Sequence, residues 1–262
     1  MHMATLKNLQ LHWQQNGDPN GQPVVFANSL GTDLRIWDSV IPLMPKGLRL
    51  IRFDKRGHGL SDCPPAPYTM EKLVDDTAQL LDQLGVTSCI FVGLSIGGMI
   101  AQSLAARRPD LVGALVLSNT AAKMGDPVLW RERIAAVQAD GLEAIAGSVL
   151  DRWFANDFRV SDQIAIWENM LSRTPVQGYI GCCQAIAGCD LTQTTTDLRL
   201  PTLGIAGSVD MASKPEQVKA TVALIPGSRF EVISGAGHLP CVEAPEQYAA
   251  LLAGFIKEIS DV

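Results

Sequence analysis

Positive charge is scarce in this sequence. Its 262 residues carry 21 Lys and Arg against 27 Asp and Glu, a formal net charge of −6, with a pI near 5.2. A nucleic-acid binder needs a basic stripe to neutralise phosphates, and a polybasic membrane-surface protein needs clustered lysine or arginine. The charge balance argues against both. Long apolar runs are also lacking. The most membrane-like stretch, residues 89–106, is interrupted by Ser95, Gly97, Gly98, Gln102 and Ser103, whereas a spanning helix needs about 20 mostly apolar residues. The first fifteen residues hold Lys7, Asn8, Gln10 and His12 and no apolar core of a signal peptide. Met1-His2-Met3 resembles a remnant of expression cloning, so His2 is given no role. Six cysteines are present (Cys63, Cys89, Cys182, Cys183, Cys189 and Cys241), but none form a C-x-x-C pair. Zinc sites and disulfide frameworks show regular spacing. Reduced thiols, mostly buried, and a cytoplasmic location are therefore expected. There is no internal repeat and no low-complexity tract.

What is present is ordinary globular material, 47% apolar and 18% charged. One large domain, or one domain with an insertion, suits this length. Short apolar, β-branched runs at 23–28, 48–53, 89–92, 114–117, 202–206 and 229–233 read as strands covered on both faces. Helical patterns separate them. Residues 70–84 place Leu73, Thr77, Leu80, Leu81 and Leu84 on one stripe and Asp75, Asp76 and Gln79 elsewhere. Residues 96–107, 215–224 and 245–259 are the other strong helices, with Pro215 and Pro245 suited to first turns. This alternation predicts an α/β fold: a mostly parallel sheet with helices on both faces. Residues 6–15 alternate more and suit an antiparallel ribbon at one sheet edge.

The rhythm breaks over residues 121–200. No convincing strand occurs there, and Trp130, Trp153, Phe154, Phe158, Trp167 and Tyr179 all do. An all-helical insertion, or cap, divides the expected core into 1–120 and 201–262. Most of these aromatics serve the insertion's own small core, and some face the site it covers.

Gly93-Leu94-Ser95-Ile96-Gly97 is a G-x-S-x-G between an expected strand and an expected helix. A nucleophile on so sharp a turn needs small residues two before and two after it. The turn also puts Ser95 at a helix N-terminus, where N–H groups favour developing negative charge. A serine hydroxyl needs a base. His238, in Gly235-Ala236-Gly237-His238, follows the last expected strand and is the only histidine after Ser95, as the chain order Ser, acid, His requires. His12 lies in the edge ribbon, and His58 reads as a structural loop residue. Asp210 follows the strand that ends at Ala206 and is the expected orienting acid, with Asp126 as its rival. Two N–H donors must hold the oxyanion. Ile96 is one, and Leu30, in the loop Asn28-Ser29-Leu30-Gly31, is the other.

Together these residues resemble the α/β-hydrolase family over nearly the whole chain: G-L-S-I-G-G at 93–98, D-x-R-G-x-G-x-S at 54–61, G-x-x-D at 207–210 and G-x-G-H at 235–238. Asn28-Ser29-Leu30-Gly31-Thr32-Asp33 departs from the H-G usual at this place and is similar to the N-S-L-G-T-D of 3-oxoadipate enol-lactonases. So are N-T-A-A followed by Lys123, R-W-F at 152–154, and Gly178-Tyr179 with Cys183-Gln184-Ala185-Ile186 ahead of Asp190-Leu191. Ile96 stands where Met is commoner. The resemblance implies a cytoplasmic serine hydrolase that opens a small-molecule enol-lactone in aromatic catabolism and uses no cofactor and no metal. Such a substrate bears a carboxylate, which requires a cation once buried. Arg131, Arg133, Arg152 and Lys123 are the candidates, and Trp130 and Trp153 are candidate pocket walls. The competing expectations are another esterase or lactonase, a cofactor-free perhydrolase or C–C hydrolase, or a slow-turnover receptor on the same fold.

Overall fold

The computed structural model describes residues 1–260. Eight strands form one sheet: β1 (His2–Leu6), β2 (Leu9–Gly17), β3 (Gln22–Ala27), β4 (Leu48–Phe53), β5 (Cys89–Leu94), β6 (Val112–Ser118), β7 (Thr202–Gly207) and β8 (Arg229–Ile233), in the order β1-β2-β4-β3-β5-β6-β7-β8. From β4 to β8 every pairing is parallel. The β1–β2 hairpin joins antiparallel at the β4 edge. Helices α1 (Met70–Gln83), α2 (Ile96–Arg107), α9 (Pro215–Val222) and α11 (Pro245–Ser260) cover the sheet faces, with the short α10 (Pro240–Glu243) ahead of the last.

The central strand β5 is buried at every position, which its continuous apolar run Cys89-Ile90-Phe91-Val92 demands. Helix α2 follows it directly and is buried from Ile96 to Ala105, so it has no polar face to show water. Thr69 caps α1, its hydroxyl accepting the Lys72 N–H. The order of the strands matters most. The chain steps outward from β3 to β4, then returns to place β5 on β3's other side. The loops after β3 and β5 therefore diverge, leaving a crevice at the carboxyl ends of these two strands.

Between β6 and β7 the chain is helical: α3 (Pro127–Asp140), α4 (Glu143–Trp153), α5 (Asn156–Arg159), α6 (Ile164–Ser172), α7 (Val176–Ala187) and α8 (Thr192–Thr196). Two expectations need correction. Residues 229–233 were expected to be covered on both faces, but β8 is the sheet's outer edge and is mostly exposed. Asp76, although off the apolar stripe of α1, is buried too, because Arg56 binds its carboxylate in a two-pronged ion pair. His2 belongs to β1, opposite Trp13, on which its ring stacks. Cys89, Cys182, Cys183 and Cys241 are buried, Cys189 is half-buried and Cys63 exposed, all as free thiols. Among the described residues no helix is long and apolar enough to cross a membrane.

Candidate active site

Ser95 occupies the turn between β5 and α2 at φ 59° and ψ −119°, a conformation that L-residues rarely adopt. Its N–H donates to the Ser118 carbonyl at 3.0 Å, and its carbonyl accepts the Thr120 hydroxyl at 2.6 Å. Two glycines make the turn possible. A Cβ on Gly93 would lie 2.3 Å from the Gly97 carbonyl oxygen, and one on Gly97 would lie 2.3 Å from that of Ala27.

His238 sits in the loop after β8, its N–H donating to the Trp153 carbonyl at 2.6 Å. Its Nδ1 is 2.8 Å from Asp210 Oδ2. Four donors converge on the Asp210 carboxylate. Asn119 Nδ2 reaches Oδ2 at 2.9 Å beside the imidazole, and the N–H groups of Ala212 and Ser213 reach Oδ1 at 2.7 and 2.9 Å. The rival acid, Asp126, is elsewhere: it caps α3 by accepting the Val128 N–H. Ser95 and His238 line one pocket, yet among the described residues no hydrogen bond joins the Ser95 hydroxyl to the imidazole. His238 Nε2 instead lies 3.4 Å from Ser29 Oγ. Such contacts commonly tighten only once substrate is bound.

The Leu30 and Ile96 N–H groups flank the crevice between β3 and β5, and neither donates to another described residue. Bonds from several directions fix the Leu30 loop. Asn28 Nδ2 donates to the Thr32 carbonyl at 2.7 Å, Thr32 Oγ1 to the Ser29 carbonyl at 2.9 Å, and the Gly31 N–H to His58 Nε2 at 3.0 Å. His58 is fully buried; burial first, then the neighbouring Lys55 charge, hold its pKa well below the ordinary value. It is a neutral acceptor that shapes this loop. His12 is spent on Asp54, at 2.7 Å.

The pocket over Ser95 encloses about 620 Å³, part of it open to solvent, and Met124, Trp130, Arg133, Arg152, Trp153 and Tyr179 contribute to its walls. Trp130 Nε1 donates to the Met124 carbonyl, and the Arg133 guanidinium lies 5.1 Å from the centre of the Trp130 ring. No carboxylate is within ion-pair distance of Arg133 or Arg152 among the described residues. Burial, then the like charge of Arg133, lower the Arg152 pKa. Two cations thus share a small apolar-walled pocket, an arrangement that an anion would relieve. Lys123 pairs instead with Asp190 at 3.0 Å, and Arg131 is exposed; neither lines the pocket.

A family model for the alpha/beta hydrolase fold matches residues 22–159, just over half of the chain. The chain belongs to the α/β-hydrolase family. It is 33% identical to 3-oxoadipate enol-lactonase 1 of Acinetobacter baylyi, over 99% of this chain and 98% of that one. The crystal structure of the enol-lactonase from Burkholderia xenovorans superposes with a TM-score of 0.94 at 33% identity, covering 98% of this chain and all of that one. A thermophilic esterase from Thermogutta terrifontis, solved with malate bound, matches at a TM-score of 0.92 and 28% identity over 99% of each chain.

Several residues at this α/β-hydrolase's site were not assigned a role from sequence. Asn119 was seen only as part of N-T-A-A, though its place just after β6, one strand before the acid's, marks it as a neighbour of Asp210. Glu243 follows His238 by five residues and accepts the Gly237 N–H at 2.7 Å and the Ala155 N–H at 2.8 Å. Ser29 and Lys55 lie inside the quoted motifs at 28–33 and 54–61, but neither motif assigns their side chains a role.

Proposed function

We propose that this chain is a serine hydrolase that opens 3-oxoadipate enol-lactone to 3-oxoadipate through an acyl-enzyme. The observation that carries this reading is the pair Arg133 and Arg152, without carboxylate partners among the described residues, in the pocket that holds Ser95. They suit an ester that bears its own carboxylate. The 33% identity with an enol-lactonase supports the same substrate, and the malate bound to the structurally similar esterase shows a carboxylic acid on this fold.

Ser95 Oγ attacks the ring carbonyl while His238 Nε2 takes its proton, and Asp210 holds the imidazole and stabilises the imidazolium. The Leu30 and Ile96 N–H groups receive the oxyanion. Collapse breaks the ring C–O bond, and His238 returns the proton to the departing enol oxygen. An enol leaves more readily than an alkoxide, and its tautomerisation to the ketone disfavours reclosure. Water, activated by His238, then frees the acid and restores Ser95.

The test is the loss of freshly generated enol-lactone, followed spectrophotometrically with the native chain and with Ser95→Ala. Rapid loss that the substitution abolishes establishes substrate and nucleophile together. Absence of lactone loss alongside Ser95-dependent cleavage of a simple aryl ester would retain the nucleophile and reject the lactonase reading.

A further inference from the structure

Lys55 is a buried cation that the reaction above does not use. It lies just past β4 and is 3% exposed. Its Nζ donates to the Ser29 carbonyl at 2.5 Å and to the Thr32 carbonyl at 3.3 Å. No carboxylate of the described residues is within ion-pair distance of it. Burying an ammonium with no counter-ion is unfavourable, so its location calls for a physical reason.

That reason lies in one peptide unit. The Ser29 carbonyl and the Leu30 N–H belong to the same planar trans peptide and point in opposite directions. An ammonium bound to the carbonyl fixes the plane from behind and turns the N–H toward the crevice. It also draws electron density toward the carbonyl, which makes the N–H a stronger donor. A positive charge in a dry interior acts over several ångströms, and it acts in the sense that favours negative charge beyond the N–H. We propose that Lys55 is a positioning residue of the oxyanion hole: its buried ammonium orients and polarises the Ser29–Leu30 peptide toward the oxyanion. The proposal rests on the reading of Ser95 as nucleophile and Leu30 as oxyanion donor.

The site allows a clean substitution. Without Lys55, the Ser29 carbonyl keeps the Thr32 hydroxyl and the Thr32 carbonyl keeps Asn28 Nδ2. Lys55→Met therefore removes the charge while the Ser29 carbonyl retains the Thr32 hydroxyl and N–H and the Thr32 carbonyl retains one donor. The charge also has a titration of its own. Burial pulls the Lys55 pKa down to about 8, against the partial support of Cys182, Asp54 and Asp33. The ammonium is present below that pH and lost above it. The ionisable groups that face it are Asp33 on the loop after β3, Asp54 and His58 on the loop after β4, and Cys182 on α7. Burial pushes Cys182 up to about 12 and His58 well below 6.5, so neither of these titrates near pH 8.

The experiment is hydrolysis of 4-nitrophenyl acetate by the full chain, by Lys55→Met and by Ser95→Ala, across about pH 6 to 9.5. Lys55→Met is expected to lower kcat/KM by roughly 10- to 100-fold, less than the 10²–10³ that follows loss of a donor itself, with the change in kcat and little in KM. The native profile falls above about pH 8, and Lys55→Met lacks that limb. A Lys55→Met profile parallel to the native one, lowered or not, overturns the proposal, since a merely structural lysine would leave the limb in place. Should Lys55→Met fail to fold, the native profile decides: no decline up to about pH 9.5 overturns the proposal, and a decline that Lys55→Arg shifts upward supports it. Full turnover by Ser95→Ala would reject the nucleophile reading and Lys55's role with it. A dead Ser95→Ala beside an unimpaired Lys55→Met rejects only the latter.

Discussion

Ser95 carries the cost of its own placement. At φ 59° and ψ −119° its Cβ crowds the backbone, and a residue so held costs of order 1–3 kcal/mol. Glycine has no Cβ and relieves the strain, at an entropic cost of roughly 0.5–1 kcal/mol relative to alanine. Ser95→Gly should therefore melt above Ser95→Ala, by about 2–4 °C for each kcal/mol of net relief in a chain of this size. Both variants lack the proposed nucleophile, so calorimetry compares them on equal terms. Equal melting points would mean that the strain is no larger than the entropic cost of glycine, roughly 0.5–1 kcal/mol. The pocket arginines make a second prediction about single residues. A charge-assisted hydrogen bond contributes about 1.5–3 kcal/mol, so Arg133→Met or Arg152→Met should raise KM for the enol-lactone by roughly tenfold or more. KM for a neutral aryl ester should barely move. A uniform rise for both substrates would mean that these side chains shape the pocket without reading a carboxylate.

At the scale of elements, α10 joins the helical insertion to the loop that carries His238. The Glu243 carboxylate at its end accepts one N–H from Gly237, beside His238, and one from Ala155, just past α4. The His238 N–H closes the circuit on the Trp153 carbonyl. Glu243→Ala strands two N–H groups, each costing about 1–3 kcal/mol where water cannot replace the carboxylate. The expected result is a loss of roughly 2–4 kcal/mol in urea unfolding together with lower kcat, because the imidazole and the pocket wall lose a shared anchor. Unchanged stability would show that water substitutes freely. How much of this was legible depended on how local its cause was. Strands β4 and β8 and helix α2 were placed from sequence to the residue, because β-branched runs and the G-x-S-x-G fix them locally. The exposure of β8 was not, since an edge position is a property of the finished sheet. The N-terminal strand was missed because His2 looked foreign to the chain. Lys55 was unreadable for a tertiary reason. A lysine after a strand normally reaches water, but here α7 closes over the loop after β4, so tightly that a Cβ on Gly178 would lie 2.0 Å from the Gly57 carbonyl oxygen.

Across the whole molecule, the crevice between β3 and β5 exists because the strand order reverses there. The proposed nucleophile, the proposed oxyanion donors and the helical insertion converge on it from segments far apart in the chain. The groups that hold them together are ionisable, so global stability inherits their titration. His58 is held neutral in the fold, well below its ordinary 6.5, by burial and by Lys55. A depressed folded pKa gives stability that is present above about 6.5 and lost as pH falls through the range below it, where the unfolded chain binds a proton that the native chain refuses. Glu243 acts oppositely. Burial raises it from 4.5 to about 6, so the native chain takes up its proton first, and stability from this group grows as pH falls from about 6 toward 4.5. Unfolding free energy should therefore fall as pH drops from about 6.5 to 5, but because the two groups oppose each other the net slope stays well under the about 1.4 kcal/mol per unit of one full proton. His58→Gln should lose that fall and keep only the opposing rise from Glu243. Urea unfolding of both chains between about pH 7.5 and 5 checks this. Parallel curves would mean that His58 titrates alike in the folded and unfolded chains, and its hydrogen bond from the Gly31 N–H could not be what fixes the oxyanion loop.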